Sequence, residues 1–229
     1  VRRPSRLFDS RDPIARSAES RQFVDDLLRE LAAGGFHPAA WARFFGRSFA
    51  RSVAQVRIRP AAAMEVTALH LLAHRPGRWR WPLVSWLLCI THLGLLGDRA
   101  TLGWPNRFTM VRALLPAFAP PARWPALIAL ATDFVDGRLA RRGEESAFGA
   151  FADPIADGVF WSWFAVRSET NRWLRWAPVT LFTAAVAGIA TAYFERGRAI
   201  DYPRPFALRY ASGVMQVLLV MRAARRVAR

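Results

Sequence analysis

From Trp81 onward the chain alternates apolar blocks with short polar or Arg-rich connectors; the blocks cover about 81–97, 107–119, 122–136, 148–166, 173–194 and 205–221. Several approach the roughly 20 residues that a bilayer-spanning helix requires. Trp79, Trp81, Trp161, Trp163, Trp173 and Trp176 stand near block ends, as aromatic residues do at a membrane interface. The pattern predicts an all-α fold, a polytopic transmembrane bundle of about six membrane helices.

Residues 1–80 have a different texture, rich in Arg and with no apolar run long enough to span. Phe23, Val24, Leu27, Leu28 and Leu31 recur at helical spacing, with Ser17 or Ser20 as a cap and Gly34-Gly35 as the stop. A second helix is expected from about Pro38 to Val56, setting Trp41, Phe44, Phe45 and Phe49 among Arg43, Arg47 and Arg51. That mixture suits a helix lying on anionic lipid and, equally, one packed on the chain's own bundle. The expected division is therefore an amphipathic helical region over 1–80, soluble or at the membrane surface, and a membrane domain over 81–229.

Composition sharpens this picture in two places. The formal charge of +16 calls for an anionic partner, and nucleic acid, an anionic leaflet and phosphorylated substrates all qualify. No zinc-ligand spacing, aromatic strand motif or confined basic stripe points to nucleic acid, so no nucleic-acid partner is expected. A mean hydropathy of only +0.09 keeps a soluble all-helical bundle in play, although the polar first third accounts for much of that average. All the basic side chains are Arg, a bias that a GC-rich genome explains as readily as a function. The single cysteine, Cys89, sits among Leu87, Leu88 and Ile90 and is assigned no chemistry. No apolar segment directly follows the arginines after Val1, so no cleavable signal is expected there.

Candidate chemistry is concentrated in Asp133-Phe-Val-Asp136-Gly137-Arg-Leu-Ala140-Arg141 and Gly149-Ala-Phe-Ala-Asp153-Pro-Ile-Ala-Asp157. On a helix Asp133, Asp136, Gly137 and Ala140 share one face, and Gly149, Asp153 and Asp157 share another. Two antiparallel helices would converge four carboxylates, whose mutual repulsion requires a cation. Oxygen ligands without His or Cys favour a hard divalent ion, Mg²⁺ or Mn²⁺. Gly137, Ala140 and Gly149 strip bulk from the acidic face, so that a nucleotide could approach the backbone. Arg141 can fork onto a phosphate oxygen, or simply serve as loop charge beside Arg138 and Arg142.

These residues resemble the signature of the CDP-alcohol phosphotransferase family, D-x2-D-G-x2-A-R followed by G-x3-D-x3-D, at all eight fixed positions. At common residue frequencies such a match arises by chance about once in a billion placements. Upstream, Pro105-Asn106-Arg-Phe-Thr109-Met-Val-Arg112 is similar to the segment that opens the first catalytic helix in that family. A chain reversal at Pro120-Pro121 would bring Asn106 to the same end of the bundle as Asp133 and Asp136.

The resemblance covers about residues 104–221 and implies a phospholipid-biosynthesis enzyme. It would transfer a phosphatidyl-type group from a CDP-alcohol, CDP-diacylglycerol by expectation, to an alcohol acceptor with release of CMP. It further implies metal ligation by Asp133, Asp136, Asp153 and Asp157, with Asp157 as the general base. Donor contacts fall on Asn106, Thr109, Gly137, Ala140, Arg141 and Gly149. Arg196, Arg198 and Arg204, in the connector that returns to the same side, would grip an acceptor phosphate. The implied setting is a bacterial inner membrane with a cytoplasmic active site, and a homodimer is a compatible assembly.

Two features depart from the expected pattern. The stretch from Asn106 to Asp133 is short and crowded by Pro116, Pro120, Pro121 and Pro125, which predicts short, tilted or unusually packed helices. A spanning segment at 81–97 would set the Arg-rich N-terminal region opposite the catalytic loop, whereas an interfacial one leaves five spans. A divalent-cation transporter with intramembrane acids along its pathway and a basic nucleic-acid-binding protein are the competing readings.

Overall fold

The computed structural model describes residues 13–120, 122–139, 146–196 and 206–227. The described residues form helices joined by short turns, with no strand among them. The helices are α1 (Pro13–Ala33), α2 (Pro38–Ile58), α3 (Pro60–Leu72), α4 (Arg80–His92), α5 (Gly103–Phe118), α6 (Arg123–Leu139), α7 (Ala147–Ser168), α8 (Arg172–Arg196) and α9 (Phe206–Val227). A single 3₁₀ turn, Leu93–Leu96, follows α4.

The first three helices each open on a proline, whose fixed φ and missing N–H cost nothing in a first turn. Because α1 starts at Pro13, neither Ser17 nor Ser20 is its cap; Ser20 is buried and accepts a hydrogen bond from Arg51 Nη2 at 3.2 Å. At the other end of α1, Gly35 turns the chain with φ of 61°, as the Gly34-Gly35 pair predicts. Helix α3 was not anticipated from the sequence, since its apolar residues have no single-face periodicity.

Helix α5 packs against both α6 and α7, α7 against α8, and α9 returns to α6, α7 and α8. One core lies among these helices, built on Leu115, Ala126, Ala129, Phe160, Phe164 and Leu219. Gly158 permits the close approach of α8, because a Cβ there would meet the Phe182 ring at 2.5 Å. A second core joins the N-terminal helices to the bundle through Ala62, Val66, Leu93, Met110, Phe148 and Ala152.

Helix α2 both packs and presents an apolar stripe. Arg51 donates to Gly94 O at 2.8 Å and Ser52 to Thr91 O at 2.6 Å, fastening α2 to α4 and the 3₁₀ turn. Trp41, Phe45 and Phe49 stay exposed, with the Trp41 and Phe45 rings stacked at 5.6 Å.

Among the described residues, no helix is both long enough and apolar enough to cross a membrane. The expectation of about six spanning helices is met only as an all-helical bundle. The block at 81–97 divides into the 13-residue α4 and the 3₁₀ turn, and α4 rises only about 20 Å. The proline-crowded stretch gives two short helices, α5 with 16 residues and α6 with 17. Acidic and basic side chains further lower the mean hydropathy of α7 and α8.

Candidate active site

One end of the bundle collects the residues singled out by their spacing, because α5 starts there, α6 ends there and α7 starts there. Asn106, Thr109 and Arg112 recur at every third position of α5 and are all buried. Asp133 projects from the last turns of α6, and Asp153 and Asp157 from successive turns of α7.

The start of α7 is fixed by local chemistry. Ser146 takes an extended backbone and accepts the Gly149 N–H at 3.0 Å, a side-chain cap of the first turn. The Asn106 amide donates to Leu102 O at 2.6 Å and to Ser146 Oγ at 3.1 Å. This lock ties the first turn of α5 to the cap of α7. A Cβ on Gly149 would stand 2.7 Å from Asn106 Oδ1, so glycine is what lets the two helices meet. Thr109 Oγ1 donates to Pro105 O at 3.2 Å and lies 3.5 Å from Asp153 Oδ1.

Carboxylate oxygens of Asp133, Asp153 and Asp157 all lie within 4.8 Å of one another. Two oxygens on one hard divalent ion stand no more than about 4 to 5 Å apart, so the trio fits such an ion. Asp133 is 46% exposed and Asp153 35%, whereas Asp157 is 15% exposed and forms the floor.

Arg112 completes this cluster from within. Its side chain is fully enclosed; Nε lies 2.8 Å from Asp157 Oδ1, Nη1 lies 3.7 Å from Asp133 Oδ1, and Nη2 donates to Asp153 Oδ1. Sequence reasoning did not count Arg112 among the site residues. Its signal was its register: three residues after Thr109, on the helix face already occupied by Asn106.

A narrow cavity of about 60 Å³ begins at Asp157 and runs between α7, α8 and α9, past Pro154, Trp161, Phe182 and Met215. Its lining is mostly apolar, with Asp157 the acidic side chain in it.

The other expected site residues are placed less completely. Asp136 and Gly137 lie on the last turns of α6, with their side positions outside the described residues. Ala140, Arg141, Arg198 and Arg204 lie outside the described residues altogether. Arg196 ends α8, and its side chain is likewise not described.

Residues 102–226, more than half of the chain, match the family described as CDP-alcohol phosphatidyltransferase, and the chain belongs to that family. A CDP-diacylglycerol–glycerol-3-phosphate 3-phosphatidyltransferase from Pseudomonas fluorescens is 38% identical over 100 residues, which span 37% of this chain and 49% of the relative. The chain therefore covers about half the length of this curated relative. No solved structure matches the chain significantly.

Proposed function

We propose that the chain is a metal-dependent CDP-alcohol phosphotransferase of phospholipid synthesis, using CDP-diacylglycerol as donor. The carrying observation is the convergence of Asp133, Asp153 and Asp157 from two helices onto one open-sided point. Family membership supports the reaction class, and the Pseudomonas relative favours a glycerol phosphate as the acceptor.

Asp133, Asp136, Asp153 and Asp157 would hold one or two Mg²⁺ or Mn²⁺ ions, which supply charge neutralisation and orientation of the donor diphosphate. Asp157 is the general base. Its enclosed position suits it to take the proton from the acceptor hydroxyl as that oxygen bonds to the phosphatidyl phosphorus. The phosphorus–oxygen bond to CMP breaks, and CMP leaves with the electron pair. Asn106, Thr109, Gly137, Ala140, Arg141 and Gly149 shape the donor side, Arg141 by forked contact with a phosphate. Arg196, Arg198 and Arg204 are assigned to the acceptor phosphate.

The catalytic unit is residues 81–229, with α5–α9 embedded in the bacterial inner membrane, α4 at its surface and the active site toward the cytoplasm. Support comes from the outer faces of these helices, where Leu127, Ile128, Trp173, Trp176, Val217 and Leu218 are exposed. Large apolar side chains exposed in number mark surfaces that meet lipid or a partner. Hydropathy averaged along a helix understates embedding when a polar group turns inward, as Asp157 does on α7. The exposed aromatic stripe of α2 and its arginines suit residues 1–80 to an anionic leaflet. A homodimer is compatible with this arrangement.

The test is incubation of purified protein with CDP-diacylglycerol, Mg²⁺ and a panel of alcohols that includes glycerol 3-phosphate and inositol phosphate. CMP should appear only with a suitable acceptor, alongside a new phospholipid. Uptake of Mn²⁺ into sealed proteoliposomes, with no CMP formed from any donor and acceptor pair, would instead identify a cation transporter.

A further inference from the structure

Arg112 is the only side chain of α5 that reaches all three carboxylates, and it does so from a position with no solvent exposure. A guanidinium stripped of water is retained in a fold only when its charge is matched. Here the match is made by the acids that would also hold a metal. The two sides of the cluster differ: Asp133 and Asp153 present oxygens outward, while Arg112 closes the inner side.

We propose that Arg112 is a built-in counter-charge, a positioning residue that holds Asp133, Asp153 and Asp157 together before any metal ion arrives. It rests on the reading of the trio as a metal site and adds how that site survives empty. With Arg112 in place the three carboxylates carry a net charge near −2 rather than −3, and their oxygens are already gathered when the ion binds. The guanidinium stays in the floor, because its enclosed side chain leaves it no path outward, and a divalent ion enters from the exposed side.

The comparison needs no turnover. Full-length protein in detergent solution is melted in EDTA and again with MgCl₂, as wild type, Arg112→Lys, Arg112→Met and the pair Arg112→Met with Asp157→Asn. In EDTA, Arg112→Met should melt about 10 °C lower than wild type, the scale expected when one member of a buried ion cluster is lost. Arg112→Lys, which keeps the charge, should recover part of the loss. The double variant, with one carboxylate neutralised, should recover at least half. Mg²⁺ should raise the melting temperature of Arg112→Met more than that of wild type, since the ion then supplies the missing charge.

An Arg112→Met protein as stable as wild type in EDTA overturns the proposal. So does a double variant no more stable than Arg112→Met, because the arginine would then be packing alone. If Arg112→Met does not accumulate, accumulation of the double variant supports the proposal and its failure overturns it. A wild type that Mg²⁺ leaves unchanged and that binds no Mn²⁺ by electron paramagnetic resonance removes the metal reading. In that case the EDTA series still decides whether Arg112 acts as a counter-charge.

Discussion

At the scale of single residues, the site depends on what is left out as much as on what is present. Gly149 makes room for the Asn106 carboxamide, which is pinned between Leu102 O and Ser146 Oγ and has no slack to give. Gly149→Ala should therefore cost about 1–3 kcal/mol through overpacking, and the KM for the CDP-linked donor should rise because Asn106 is displaced. Denaturant melts and steady-state kinetics with the donor varied check both effects. Asp133, Asp153 and Asp157 were legible in the sequence because helical spacing alone puts acids three or four positions apart on one face. Arg112 was legible only as the last position of the segment that opens at Pro105, and its pairing with the acids was not, because a sequence does not show which side chains an Arg meets across a helix crossing. Its role is set by the crossing of α5 with α7, which is a tertiary fact. The packing duty of Asn106 was hidden for the same reason: its partner Ser146 lies 40 residues away.

At the scale of elements, α3 acts as a brace for the start of α5. Glu65 accepts from Arg107 Nη2 at 2.8 Å and Nε at 3.2 Å, and from the Leu102 N–H at 3.2 Å, just ahead of α5. Glu65→Ala should cost about 1 kcal/mol and speed amide exchange over residues 102–107, measured by hydrogen–deuterium exchange. A second tie joins α3 to α4. His70 Nδ1 lies 2.7 Å from the Val66 carbonyl and must donate to it, so Nε2, 3.0 Å from Ser85 Oγ, accepts the Ser85 hydroxyl. Burial pushes the His70 pKa below its ordinary value of 6.5, with the Val66 hydrogen bond a smaller opposing influence. The folded chain thus resists a proton that the unfolded chain accepts. The stabilising contribution of neutral His70 is complete above about pH 6.5 and fades as the pH falls. Acidification from about pH 7.5 to 5.5 should lower the melting temperature less in His70→Gln than in wild type. The apolar blocks after Trp81 foretold α5–α9 closely, since their borders are marked by prolines, glycines and arginines. They misjudged α4, where a 3₁₀ turn interrupts the block at Leu93.

At the scale of the whole molecule, the bundle as proposed carries its chemistry at one end and turns exposed apolar side chains of α6, α8 and α9 to lipid. The last helices are long enough for this, since α7, α8 and α9 rise roughly 33 to 37 Å over 22, 25 and 22 residues. The protein should therefore stay with membranes through high-salt and alkaline carbonate washes, checked by immunoblotting pellet and supernatant. Release by salt alone would mean that charge rather than embedded surface holds it there. How the N-terminal region joins the bundle was beyond the sequence, because Arg51, Gln55 and Glu65 find their partners far along the chain. The central claim is that the aspartate trio, with its divalent ion, carries the transfer. The most direct measurement is CMP released from CDP-diacylglycerol by wild type and folded Asp157→Asn protein, each with Mg²⁺ and with EDTA. The account predicts CMP only from wild type with Mg²⁺; equal release in EDTA, or undiminished release by Asp157→Asn, would contradict it.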